Sequence, residues 1–242
     1  MKKILTIACL AAATTLSAQV NLKQLKTQAT KVTKATGLSE QEVIDGLKEA
    51  LSKGSTKAGQ LASAVGGFNG NSLIKIPFPE DAKKMETKLR AAGMGAQVDK
   101  FVSTLNEAAE LASKQVGDIF LTAIKNMTVK DGMNVLKGAD NAATEYLRSS
   151  TYQQLYDKFK PIIIASLKQV EITKYWNPLM TKYNSIPLVE KVNPDLEDYT
   201  TKKAIEGLFK LVAQEELKIR KDMNARTSEL LKKVFGEADK KK

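Results

Sequence analysis

The sequence contains no histidine, and its single cysteine, Cys9, lies in an apolar stretch near the N-terminus. These absences exclude catalytic triads that use histidine, zinc sites built from histidine and cysteine, and internal disulfide bonds. Tryptophan occurs once, and only four of the 38 basic residues are arginine. The chain also lacks the glycine motifs of nucleotide-binding loops and a calcium-binding loop. We therefore expect no metal ion and no cofactor.

The first 18 residues are typical of a signal peptide that directs export. Two lysines precede the apolar residues 4–16, and Ala18 ends a stretch of small residues suited to cleavage. A transmembrane helix needs about 20 apolar residues, which is more than this run offers. We expect cleavage after about Ala18 and a mature chain without a transmembrane segment. The Ser-Ala-Gln ending is common in Bacteroidota, and the location expected is the periplasm or the cell surface of a Gram-negative bacterium.

The rest of the chain is predicted to be all-α, because apolar residues recur at helical spacing almost everywhere. No tract rich in Ser, Gly or Pro is long enough to separate domains. We therefore predict one compact multi-helix domain over residues 19–236, followed by a charged tail over residues 237–242. One irregular segment that contains prolines, residues 68–79, interrupts the helices. Within it Ile74, Ile76 and Phe78 alternate with other residues, as in a short extended segment.

Local patterns also predict individual helix boundaries. At two places a Ser or Thr that can cap a helix N-terminus precedes an acidic residue by three positions. Thr151 is also suited to the start of a helix. The predicted features are an amphipathic helix over residues 22–32, capping pairs at Ser39–Glu42 and Thr128–Asp131, and a new helix at Thr151.

Glu215 is the first candidate for a functional side chain. A projection of residues 204–220 at 100° per residue places Glu215 within the apolar stripe of its helix. A carboxylate in the core needs a cation or several hydrogen-bond donors. It is therefore either part of a buried ion pair that docks the C-terminal helices or a polar spot in a ligand pocket. The candidate partners are Arg148, Lys202, Arg220 and Arg226.

Other polar residues of the same region have simpler predicted roles. Glu216 stands four residues before Arg220, the favourable order for an ion pair on a helix. Asp140 is predicted to cap the helix that carries Arg148, unless Asn141 does so. We expect Arg148 to form an exposed or inter-helix pair with the neighbouring Glu145.

Tyr175, Trp176 and Tyr183 form the most aromatic stretch of the chain. Their helical spacing favours a place in the core over a platform for stacking sugars. A third interpretation is a face that engages a protein partner.

The mature chain has 36 basic and 27 acidic residues, a surplus of nine positive charges. Such a surplus suits an anionic lipid surface or an envelope polymer. Specific recognition of nucleic acid is not expected, because it favours arginine and stacking aromatics over lysine.

Short motifs spread over nearly the whole mature chain resemble one bacterial family. They include residues 46–51, Ile76-Pro77-Phe78-Pro79, Gly138-Ala139-Asp140, Asn193-Pro194-Asp195-Leu196, Glu215-Glu216, Ile219-Arg220, Ala225-Arg226-Thr227 and Val234-Phe235-Gly236. The family is known as domain of unknown function 4197 and occurs in exported proteins of Gram-negative bacteria. The resemblance implies export and a helical domain, and it implies no activity.

Three functions are compatible with these observations. The leading hypothesis is a non-catalytic binding or structural module of the cell envelope, for an amphiphilic ligand or an anionic surface. The first alternative is a hydrolase that acts on an envelope polymer through carboxylates. The second is a scaffold for a protein partner.

Overall fold

The computed structural model describes residues 38–239 except 191 and 193, and within them the chain forms nine α-helices and no strand. The predicted signal peptide, the amphipathic segment 22–32 and the end of the charged tail lie outside the described residues. The helices are α1 (Glu40–Ser63), α2 (Lys83–Ala91), α3 (Gly95–Ser113), α4 (Val116–Lys125), α5 (Val129–Lys137), α6 (Ala142–Gln169), α7 (Ile172–Asn184), α8 (Leu196–Lys221) and α9 (Glu229–Asp239). The all-α prediction is confirmed.

Both predicted capping pairs are present. The Ser39 backbone N–H donates to the Glu42 carboxylate at 2.8 Å, and the Glu42 N–H donates to the Ser39 hydroxyl at 3.1 Å. Thr128 and Asp131 exchange the same pair of bonds at the start of α5. Each pair satisfies N–H groups that have no partner within the first turn of a helix.

Thr151 does not begin a helix, because α6 continues through it as one helix of 28 residues. The Thr151 hydroxyl donates to the Leu147 carbonyl oxygen of its own helix instead of capping a new one. The side chain is buried, and α6 packs against α3, α4 and α8. Tertiary packing therefore fixes the length of this helix more strongly than the local capping signal does.

Helix α8 packs against both α1 and α6. Its buried residues consequently surround much of the helix instead of forming one narrow stripe. Gly207 allows the irregular segment to approach α8 closely. A Cβ atom at this position would lie 2.8 Å from the Phe68 ring and 3.2 Å from Ile74.

The irregular segment over residues 64–79 is held by hydrogen bonds to side chains of other helices and not by a sheet. Ile74, Ile76 and Phe78 are buried while Lys75 between them is exposed, which agrees with the predicted alternation. The Ile76 N–H donates to the Asn106 side-chain oxygen at 2.8 Å, and the Asn106 amide donates back to the Ile76 carbonyl at 2.8 Å. Asn106 thereby replaces a neighbouring strand.

Tyr199 on α8 also binds the irregular segment, and the effect of pH on stability can test this contact. Its hydroxyl donates to the Pro77 carbonyl oxygen at 3.1 Å. Burial, followed by the nearby Glu80 and Glu206 carboxylates, raises the pKa of Tyr199. The folded state therefore keeps a proton that the unfolded chain releases above about pH 10. This contribution to stability is fully present below about pH 10 and is lost as the pH rises further.

We expect Tyr199→Phe to reduce the alkaline sensitivity of the protein. Between about pH 8 and about pH 11, the free energy of unfolding should fall by up to about 1 kcal/mol more in the wild type than in the variant, since solvent screens the half-buried ring. Urea denaturation at both pH values measures the difference. An equal loss in both proteins would contradict the assignment.

Candidate functional site

The Glu216 carboxylate lies at the centre of a buried polar cluster between α8 and the N-terminus of α6. It accepts hydrogen bonds from the backbone N–H groups of Ala143 at 2.9 Å and Thr144 at 2.8 Å. The Thr144 hydroxyl donates to it at 2.7 Å. The Glu216 side chain is only 7% exposed. A carboxylate from α8 therefore caps α6 and interacts favourably with the positive end of its dipole.

Two arginines complete this cluster. Arg220 pairs with Glu216 at 2.8 Å and also donates to the Val135 carbonyl oxygen at the end of α5. Arg226 donates to the carbonyl oxygens of Ile219 and Arg220, the last turn of α8. Both guanidinium groups lie 5.9 Å from the centre of the Phe235 ring on α9. We call Glu216, Arg220 and Arg226 the C-terminal cluster, which connects α5, α6, α8 and α9.

The expectation that the Glu215 carboxylate enters the core is wrong. Its Cβ atom does face α1, since a Cβ atom on Gly54 would lie 3.5 Å from it. Its side chain remains 16% exposed, and its carboxylate pairs at 2.6 Å with Lys218, which is 58% exposed, and not with the predicted partners. A helical projection gives the direction of the Cβ atom only, and a glutamate stem is long enough to return its charge to the surface. Glu216 is buried instead, because α6 covers a second side of α8.

Asp140 and Arg148 lie outside the C-terminal cluster. Asp140 pairs with Lys221 at 2.8 Å, and Asn141 is the N-cap residue of α6 but makes no capping bond with its side chain. Arg148 lies 3.6 Å from Glu145, as predicted, and 4.6 Å from the Phe209 ring. Of the two predicted N-cap residues, Asn141 and not Asp140 therefore occupies the cap position, and Glu216 supplies the capping bonds from another helix.

The aromatic stretch contributes mainly to the core. Trp176 is 8% exposed, with its ring centre 4.9 Å from that of Phe101. Tyr183 is buried and donates to the Glu190 carbonyl oxygen at 3.1 Å. Tyr175 is partly buried, with the Lys100 ammonium 5.5 Å from its ring. Only Tyr175 could therefore contact a partner directly.

Beside the C-terminal cluster lies a cavity of about 20 Å³. Its walls are apolar except for Glu216 and Arg220, and include Leu47 and Phe235. A volume of this size holds about one water molecule, whereas sites for small molecules measure about 300–1,000 Å³. The cavity beside the cluster is therefore too small for a ligand of that size.

A second buried carboxylate, Glu110 on α3, is not among the residues that the sequence predicts to be functional. It accepts hydrogen bonds from the backbone N–H groups of Gly66 and Phe68 at 3.0 Å and of Asn69 at 3.2 Å. Three donors on one loop thus compensate its charge. The signal available in the sequence is a glutamate between the core alanines Ala109 and Ala112. No local pattern indicates that the loop after α1 covers it.

Glu110 also borders an open surface groove of about 390 Å³, which we call the α3 groove. One wall comes from the end of α1 and the loop after it, and the other from one face of α3. Its lining residues are Ser63, Val65, Gly66, Asn69, Ser103, Glu107, Glu110, Leu111 and Lys114. The groove therefore combines hydroxyl, amide, carboxylate and ammonium groups with two aliphatic side chains.

A family model described as "Protein of unknown function (DUF4197)" matches residues 37–236. The chain belongs to this family. The match includes both the C-terminal cluster and the α3 groove, so both sites lie in the part that defines membership. Neither curated proteins nor solved structures gave a match to the chain.

The residues that the structure describes contain neither a membrane-spanning helix nor a group of metal ligands. None of their helices is both long and apolar enough to cross a membrane. Across the same residues, no three acidic side chains are grouped so that they could hold a metal ion. Of the two cavities described above, the α3 groove is the one whose volume suits a small ligand.

Proposed function

We propose that the protein is a non-catalytic binding module of the cell envelope and that its ligand occupies the α3 groove. The observation that carries this proposal is the groove itself, which is preformed, polar and of ligand size. The predicted signal peptide supports the location in the envelope. The proposal places the ligand at the surface and not in the helical core, where the cavity beside Glu216 has room for about one water molecule.

The state of the buried carboxylates favours binding over hydrolysis. A general acid or base must reach a proton of the substrate within hydrogen-bond distance. The carboxylates of Glu216 and Glu110 are instead occupied by backbone N–H groups, and Glu216 also by Arg220. Glu107 is exposed at the open groove, where nothing shields it from water. The alternative of a carboxylate-dependent hydrolase therefore has less support.

The surplus of positive charge favours an anionic environment as a secondary partner. The mature chain carries nine more basic than acidic residues, and almost all of its basic residues are lysines. Long-range attraction of this kind increases the concentration of a protein near anionic lipid or polymer without a specific contact. It would bring the α3 groove close to envelope material.

The test uses the full chain expressed in a Gram-negative host. We expect recovery from the periplasmic fraction with the mass of a chain that begins at Gln19. The immobilised mature protein should retain water-soluble fragments of an enzymatically digested cell wall and release them chemically unchanged, as judged by mass spectrometry. Ser103→Trp, which fills the groove, should reduce the retained amount at least about tenfold, since the ligand loses its site.

Ser149→Trp provides the matched control, because Ser149 is an exposed serine on α6 and does not line the groove. Its retention should equal that of the wild type, and all three proteins should have the same thermal unfolding midpoint. Cleaved fragments in the eluate would support the hydrolase alternative. Equal retention by Ser103→Trp and the wild type would contradict the groove as the binding site.

A further inference from the structure

The α3 groove carries two charged groups that make no ion pair or hydrogen bond with the rest of the described protein. Glu107 on α3 and Lys114, the residue directly after this helix, both line the groove and are seven residues apart, which corresponds to about 10 Å along a helix axis. Among residues 38–190, 192 and 194–236, neither side chain takes part in an ion pair or a hydrogen bond. A carboxylate and an ammonium group are therefore both available to a ligand.

The rest of the groove surface is polar, and its side chains form only weak hydrogen bonds within the protein. The Asn69 amide donates to the Ser103 hydroxyl at 3.4 Å, and the Ser63 hydroxyl donates to the Gln60 carbonyl at 3.4 Å. Bonds of this length are weak, so a ligand can replace them at little cost. Val65 is fully exposed beside them and offers an apolar contact.

The composition of the lining does not favour ligands that are recognised by aromatic stacking or by arginine. No aromatic residue lines the groove, so a sugar ring or a nucleobase would have no surface for stacking. No arginine is present either, so a phosphate would lack the two-pronged contact that arginine provides. The available groups instead match a ligand with one positive and one negative end and a hydrogen-bonding backbone.

We infer that the α3 groove binds a short extended peptide with free termini, its α-amino group at Glu107 and its α-carboxylate at Lys114. An extended chain spans about 3.3–3.6 Å per residue, so about three residues connect the two charges. The side chains best accommodated are small and apolar, next to Val65 and Leu111. This inference rests on the proposed function and names the ligand class for the same groove.

The groove wall is organised before the ligand arrives. Glu110 fixes the loop at Gly66, Phe68 and Asn69 through three backbone hydrogen bonds. A loop held in this way loses little conformational entropy when a ligand binds, and a smaller entropy cost leaves more of the contact energy as affinity.

Isothermal titration calorimetry with three probes tests the inference. The probes are trialanine with free termini, N-acetyl-trialanine and trialanine amide, at low ionic strength. Each blocked peptide should bind the wild type at least about fivefold more weakly than free trialanine, because one charge-assisted contact is lost. The affinity of Glu107→Gln should be the same for free and acetylated trialanine, and the affinity of Lys114→Met should be the same for free and amidated trialanine.

The matched controls are Glu40→Gln at the opposite end of α1 and Lys130→Met on α5, which packs against α1 near Ile44. Both should retain the wild-type discrimination among the three peptides. Equal affinities of the wild type for blocked and free peptides would overturn the inference, as would no measurable binding of trialanine. If trialanine fails but Ser103→Trp still abolishes retention of cell-wall fragments, only the ligand class is wrong. If both tests fail, the proposed function fails with it.

Discussion

Glu216→Gln is expected to destabilise the protein by about 3–5 kcal/mol, the largest effect that we predict for a single substitution. The change removes the negative charge opposite Arg220, whose guanidinium is almost fully buried. It also places an amide N–H₂ group where both carboxylate oxygens now accept from Ala143, Thr144 and Arg220. The variant therefore leaves a buried cation without compensation and an incompletely capped helix. Urea denaturation followed by circular dichroism measures the loss.

Glu215→Gln is the matched control for this prediction. Glu215 is the adjacent residue on the same helix, and its carboxylate pairs with the exposed Lys218. Partly exposed pairs of this type contribute about 0–1 kcal/mol, so the control should unfold close to the wild-type midpoint. The opposite order of the two stabilities would show that Glu215 is the buried carboxylate after all.

Glu110→Gln is expected to cost about 2–3 kcal/mol and to loosen the loop after α1. Hydrogen bonds to a charged group contribute about 1.5–3 kcal/mol, and at least one of the three N–H donors would face an amide N–H₂ group instead of an oxygen. Hydrogen exchange of the Gly66, Phe68 and Asn69 amides should accelerate most, since these amides bond to Glu110. Because this loop forms one wall of the α3 groove, binding of trialanine should weaken as well.

Glu107→Gln controls for the loss of a carboxylate on the same face of α3. Its side chain is exposed and makes no hydrogen bond to the loop amides, so stability and hydrogen exchange should remain unchanged within about 0.5 kcal/mol. Faster exchange of the three loop amides in Glu107→Gln than in Glu110→Gln would contradict the role assigned to Glu110.

The C-terminal cluster illustrates what a helical projection can and cannot predict. The projection places Glu215 toward α1, and its Cβ atom does face Gly54. It cannot show that the carboxylate extends to Lys218, nor that α6 covers the other side of α8 and buries Glu216. The destination of a long charged side chain depends on which elements pack around the helix, and a single segment of sequence does not contain that information.

The irregular segment shows a similar division. Its position, its prolines and the alternation of Ile74, Ile76 and Phe78 are evident in the sequence, because proline lacks an N–H group and apolar residues must be buried. The side chains that form hydrogen bonds with its backbone, however, are not evident in the sequence. Asn106 and Glu110 come from a helix about 30 to 40 positions further along the chain, and side-chain bonds over such distances leave no local pattern.

The sequence by itself determined the all-α class and two capping boxes, and it excluded catalytic triads that use histidine, zinc sites of histidine and cysteine, and internal disulfide bonds. These properties follow from residue type and short-range spacing, and they do not depend on which distant segments pack together. The tertiary structure alone decided that Thr151 continues a helix, that Glu216 caps α6 from α8, and that Glu107 and Lys114 face a preformed groove. Each of these outcomes depends on which distant segments pack together, and that packing is determined by the burial of the whole apolar core.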